Sequence, residues 1–154
     1  MDQLGAGVRL ENLPNAYVEQ LKGYFPKIDL RTVRVGYSSR QPSGNTTTDC
    51  HNVYSGVREF VDQLRNASVG SNPTLLSLLY HELRHTEQCN EMGGRDFYAE
   101  RWFGDFAISA LTSNLNNPNY YTVLHDRMPM EKNAETRATE VLQNVPVLKS
   151  SLVP

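Results

Sequence analysis

The sequence predicts an α+β domain in which helices dominate and a small β-sheet is subordinate. Three observations point there. Five stretches repeat apolar residues at helical spacing, whereas only two carry the alternation or residue types of strands. The strand-like stretches both lie in the first 55 residues, ahead of the long helical run. The chain has 154 residues and is 39% hydrophobic, enough for one domain with a sizeable core. Residues 1–154 therefore read as a single domain with a core from about 15 to 145, without internal repeats or low-complexity segments.

Taken in order, Tyr17, Val18, Leu21 and Phe25 mark one face of a first helix, Ala16 to Phe25, which Pro26 ends. Ile28 to Tyr37 follows as a strand, with Val33, Val35 and Tyr37 alternating against Arg34 and Gly36. Ser38 to Asp49 is polar, contains Pro42-Ser43-Gly44-Asn45, and reads as a loop. Thr46 to Tyr54 is rich in threonine, valine and tyrosine and suits a second strand. Val57, Phe60, Val61 and Leu64 have helical spacing. A long helix is predicted over about 73 to 92. Asn72 is placed to cap it, Pro73 suits its first position and Gly93-Gly94 its end. Another runs over about 96 to 114, where Phe97, Trp102, Phe103 and Phe106 read as core packing. Thr112 to Asn119, rich in asparagine, reads as a loop. After Pro129, the residues Met130, Ala134, Ala138 and Val141 trace a last helix, with an irregular tail beyond Pro146.

A net charge of −2 gives no electrostatic reason to expect nucleic acid or an anionic membrane as a partner. No run of eighteen apolar residues exists, so no membrane span is expected. Met1 to Gly7 lacks the basic and apolar regions of a signal peptide. The expectation is a protein that stays in the cytoplasm, one exported by a specialised route, or an excised domain. Two cysteines, Cys50 and Cys89, do not make a disulfide framework. Free thiols are expected, with one bridge conceivable outside the cytosol. Asn45-Thr46-Thr47 and Asn66-Ala67-Ser68 match glycosylation sequons, which mean little without a secretory signal.

The most informative residues are His81-Glu82-Leu83-Arg84-His85, an H-E-x-x-H motif. With 4 His and 10 Glu in 154 residues, random placement produces this motif with a probability of about 0.007. On a helix, positions i and i+4 share one face. Two imidazoles at that spacing can grip one Zn²⁺, and the glutamate beside the first can hold a water against it. Leu75, Leu76, Leu79 and Leu83 form the buried stripe of the same helix, and Leu78, His81, His85 and Cys89 a neighbouring one.

Catalytic zinc usually has three protein ligands. Candidates for the third are Glu91, His125, Glu131, Glu135 and Glu140, and Glu131 is favoured. In Glu131-Lys132-Asn133-Ala134-Glu135, an E-x-x-A-E spacing puts two carboxylates on one helical face. One can bind zinc, and the other can accept a proton from the outer nitrogen of a ligand histidine.

The H-E-x-x-H motif followed by an E-x-x-A-E helix resembles the gluzincin branch of the zincin metallopeptidases. The resemblance implies a zincin-like fold, with Glu131 as third ligand and Glu135 as its supporting acid. The segment Asp29 to Val35, His51 to Tyr54 and then Leu75 to Gln88 resembles small metallopeptidase domains of bacterial contractile injection systems. Similar modules occur as C-terminal toxin domains of type VI secretion spike proteins and Rhs proteins. The resemblance spans about residues 29 to 142. It implies a secreted effector or toxin domain acting on a protein or peptide substrate, with an immunity or carrier protein as partner. The chain departs from the metzincin pattern, since Gln88 and Glu91 stand where that motif has a glycine and a third histidine.

The expected chemistry is peptide hydrolysis by a zinc-activated water, with Glu82 as general base. Tyr120, Tyr121 and His125 are candidates for the oxyanion donor, Tyr121 being assigned that catalytic role. His51 is a weaker candidate for the site. Two other functions compete: a zincin-fold binding or adaptor module with little turnover, and hydrolysis of a non-peptide amide such as a cell-wall link.

Overall fold

A four-stranded mixed sheet rests against the longest helix of the chain in this computed structural model, which describes residues 7–42, 46–67, 71–112 and 119–145. The strands are β1 (Val8–Asn12), β2 (Arg34–Ser38), β3 (Thr46–Thr48) and β4 (Asn52–Ser55). Their order across the sheet is β1-β2-β4-β3. β2 runs antiparallel to β1 and parallel to β4, while β3 pairs antiparallel with β4. The chain leaves β2, passes to the far edge as β3 and returns beside β2 as β4. β3 is thereby an edge strand, and it is the strand nearest the H-E-x-x-H helix.

The helices are α1 (Asn15–Leu21), α2 (Phe60–Asn66), α3 (Pro73–Glu91), α4 (Arg95–Leu111), α5 (Tyr120–Arg127) and α6 (Pro129–Asn144). α3 packs most extensively on α6 and also lies against β3 and β4. The core gathers Leu21 from α1 and Phe25 just after it, Val35 and Val53 from the sheet, Phe60 and Leu64 from α2, and Leu76, Leu79 and Leu83 from α3. Ala138 and Val141 close it from α6. These are the apolar stripes that the spacing predicts, because a helix that buries one face must repeat its apolar residues at 3 and 4 positions.

Several expectations need correction. The strand predicted from Ile28 shortens to Arg34–Ser38. Asp29 turns the preceding chain instead: its carbonyl accepts the Thr32 amide at 2.9 Å and its carboxylate the Arg31 amide at 3.1 Å. The strand predicted over Thr46 to Tyr54 splits into β3 and β4. Asp49 breaks it, with Oδ1 accepting the Asn52 amide at 2.9 Å and Oδ2 the Tyr54 hydroxyl at 2.6 Å. Cys50 in this turn has φ 77°. β1 and α5 were not foreseen. β1 pairs closely over Gly36, where a Cβ would lie 2.0 Å from the Arg9 carbonyl oxygen. Of the loop predicted over Thr112 to Asn119, residues 113–118 lie outside the described residues, as does the tail beyond Pro146. Pro73 opens α3 as expected, but Asn72 makes no side-chain capping bond.

Two further corrections bear on the site. Cys50 and Cys89 form a disulfide that ties the β3–β4 turn to the C-terminal part of α3, so they are not free thiols. The aromatic residues of α4 do not form core. Phe97 and Phe103 are exposed, Trp102 and Phe106 half-buried, and the buried residues of this helix are Asp105 and Ser109. α4 is a wall beside α3 rather than a layer over the core, so its apolar face looks into a cleft and out to solvent.

Candidate metal centre

α3 presents His81 and His85 one turn apart on a single face. Their Nε2 atoms are 2.9 Å apart. Glu131 stands in the first turn of α6, where the helix N-terminus favours an anion. Its Oε2 lies 3.1 Å from His81 Nε2 and 3.0 Å from His85 Nε2. Three lone-pair atoms on one small triangle repel one another unless a proton or cation sits among them. Tetrahedral zinc bonds of about 2.0–2.1 Å place ligand atoms about 3.3 Å from each other. The triangle needs to open by only a few tenths of an ångström, so the donor set fits a metal ion.

The third candidate ligand is brought in by contacts between α3 and α6. Gln88 Nε2 donates to the Met130 carbonyl at 3.1 Å and to Asn133 Oδ1 at 3.0 Å. Arg84 Nε donates to the same Asn133 oxygen at 2.7 Å. Gln88 Oε1 also lies 2.8 Å from His85 Nδ1. An acceptor there fixes the proton on Nδ1 and leaves the Nε2 lone pair available to a cation. Glu135 Oε2 lies 3.5 Å from His81 Nδ1, the supporting place foreseen for it. Glu87, also on α3, is fully buried and takes the Lys27 amide at 2.9 Å and Arg84 Nη1 at 2.6 Å, which anchors the loop after α1 to this helix.

Of the other candidate ligands, Glu91 binds Arg84 and Glu140 binds Arg137, so neither joins the triangle. His125 on α5 reaches its rim, with Nε2 3.2 Å from Glu131 Oε2. His51 lies exposed in the β3–β4 turn, away from the cleft. The side chains of Tyr120 and Tyr121 lie outside the described residues, and so does the catalytic assignment of Tyr121.

Glu82 is buried beside the triangle, and Thr46 Oγ1 on β3 donates to its Oε1 at 3.1 Å. Burial pushes its carboxyl above the usual range; the charges of His85 and His81 and the Thr46 bond oppose this, while Glu131 adds to it. Glu131 behaves oppositely. Burial disfavours its charge, but the hydrogen bonds with His81 and His85 and the charges of His85 and His125 prevail, and they hold it well below the usual carboxylate range. Burial works against a charged His85; Glu131, Glu82 and Gln88 outweigh it and raise its pKa. The two neighbouring carboxylates are thus driven in opposite directions.

The cleft has a volume of about 740 Å³ and is walled by β3 on one side and by Tyr98, Trp102 and Phe103 of α4 on the other. Sequence reasoning missed Gln88, Thr46, Tyr98 and Trp102. Gln88 had a signal, since it follows His85 by three positions on one helical face. The other three carried none, because they reach the site only through packing. Burial, together with the charges of Glu131 and Glu82, raises the pKa of the Tyr98 hydroxyl. No family profile, curated protein or solved structure matches the chain.

Proposed function

We propose that this protein is a zinc-dependent hydrolase of peptide bonds, with His81, His85 and Glu131 as metal ligands and Glu82 as general base. The observation that carries the reading is the buried carboxylate of Glu82 beside the converged Nε2, Nε2 and Oε2 atoms. Zinc held there supplies Lewis-acid polarisation of a carbonyl and lowers the pKa of water towards neutrality. Glu82, its proton affinity raised by burial, takes the proton of the attacking water and passes it to the leaving amine. Thr46 holds the Glu82 carboxylate in place. β3 is the outermost strand of the sheet and lines the cleft, and an extended chain can add to such an edge as a further strand. Tyr98 and His125 flank the triangle as donors for the developing oxyanion.

The motif resemblance to injection-system and toxin metallopeptidases supports a role as a delivered effector domain acting on a protein or peptide. A second reading, a binding module with little turnover, draws on the exposed Phe97, Phe103, Ile108 and Leu111 of α4, an apolar surface of the kind that marks docking. One experiment separates them. Zinc content and cleavage of an unfolded protein are measured for wild type and Glu82→Gln, with and without chelator. The hydrolase reading requires chelator-sensitive cleavage by wild type, and a variant that keeps stoichiometric zinc and loses cleavage by 100-fold or more. Full cleavage by Glu82→Gln removes Glu82 as the base. Stoichiometric zinc with no turnover on diverse peptides favours the binding module, and turnover confined to cell-wall fragments favours a non-peptide amide.

A further inference from the structure

The Glu131 carboxylate has two oxygens, and the structure treats them differently. Oε2 faces His81, His85 and His125. Oε1 instead accepts the indole N–H of Trp102 at 3.1 Å. An indole nitrogen donates only and cannot ligate a metal in this form, so this contact has one chemical sense. The indole is itself held: its ring stacks on Phe106 at 5.5 Å with an interplanar angle of 10°, and meets Phe103 edge-on at 5.5 Å. The contact also bridges elements, since Trp102 stands on α4 and Glu131 on α6.

We propose that Trp102 is a positioning residue for Glu131 in the metal centre, engaging Oε1 so that the carboxylate presents Oε2 alone to the cation. The inference rests on the metal-centre reading above and does not depend on hydrolysis. A carboxylate with both oxygens free can rotate or bind a metal through both, which uses up a coordination position. With Oε1 engaged, Glu131 would offer a bound cation one oxygen beside the two imidazole nitrogens. The same bond ties the α4 wall of the cleft to the ligand helix, so filling the centre alters the surroundings of the indole.

Trp102 is the sole tryptophan of the chain, and its emission therefore reports the surroundings of this indole without labelling. The first test titrates zinc into the metal-free wild-type protein while following tryptophan emission and bound metal together. Emission that shifts in step with occupancy supports the proposal; emission that stays constant while the site fills overturns it. This test needs no variant to fold. The second compares wild type with Trp102→Phe by chelator competition and by the visible absorption of the cobalt-substituted protein. Loss of an outer partner of a ligand typically weakens metal binding about 10–100-fold. That loss is expected in Trp102→Phe, with a cobalt spectrum changed towards higher coordination as Glu131 turns bidentate. A role in packing alone lowers the melting temperature of the metal-free variant and leaves affinity and spectrum at wild-type values, which overturns the proposal. Wild-type protein that takes up no metal overturns the metal-centre reading and this inference with it. A variant that binds metal as tightly as wild type overturns this inference alone.

Discussion

Replacing Glu131 with glutamine tests the proposed centre at the candidate ligand that lies farthest along the chain from the motif. Glutamine keeps the shape of the side chain and a carbonyl oxygen for the Trp102 N–H, but removes the anionic donor whose Oε2 lies 3.0–3.1 Å from both ligand imidazoles. A ligand that binds only the folded state stabilises it by RT ln(1 + [L]/Kd), about 2.7 kcal/mol at free zinc one hundred times Kd. For a domain of this size each kcal/mol is worth about 2–4 °C, so zinc is expected to raise the melting temperature of wild type by about 5–10 °C. Removing an inner ligand costs more than the 10–100-fold typical of outer partners. At the same zinc concentration the variant then gains at most about 0.4 kcal/mol, or about 1–2 °C. The assay is thermal unfolding of both proteins with zinc and with chelator. A zinc-dependent shift in Glu131→Gln equal to that of wild type refutes Glu131 as a ligand. A shift abolished by Glu135→Gln instead moves the ligand to Glu135.

Three further outcomes concern the scaffold around the site. Tyr80 is fully buried, and its hydroxyl has no hydrogen-bond partner among the described residues. Tyr80→Phe is expected to stabilise the fold at pH 7.5 by about 1 kcal/mol, measured by urea unfolding; a destabilised variant counts against the unpaired hydroxyl. Burial pushes the Tyr80 pKa from its ordinary 10.0 up to about 12. A pKa raised by folding gives stability that is whole below the unfolded value and disappears as pH rises through the folded one. Wild type should therefore lose about 2–3 kcal/mol from this group between pH 10 and 12. Tyr80→Phe should lose correspondingly less, though Tyr17, also raised by burial, keeps part of the decline. The Cys50–Cys89 bridge closes a 39-residue separation, for which chain entropy gives about 4 kcal/mol. Cys50→Ser with Cys89→Ser, or reduction of wild type under denaturing titration, is expected to cost about 2–4 kcal/mol. An unchanged urea midpoint would show that the bridge does not constrain the chain.

The site divides into what neighbours in sequence can encode and what they cannot. The motif helix was legible from its own residues: Leu76, Leu79 and Leu83 bury one stripe, while His81 and His85 share the next, because the 3.6-residue repeat determines both. Glu131 with Glu135 was legible in the same way, as two carboxylates one turn apart at a helix start. The α+β class followed from counting periodic stretches, and the structure bears it out. The pairing of strands across the sheet, the Cys50–Cys89 bridge and the choice of Glu131 over Glu91 depend on chain segments tens of residues apart, and no local period records them. α4 shows the difference most plainly. Its aromatic residues predicted core, yet hydrophobicity says only that a side chain gains by leaving water, not against which surface. The docking of α4 beside α3 turned that face towards the cleft, and it set the Trp102 indole against Glu131, a contact between residues 29 positions apart that packing alone creates.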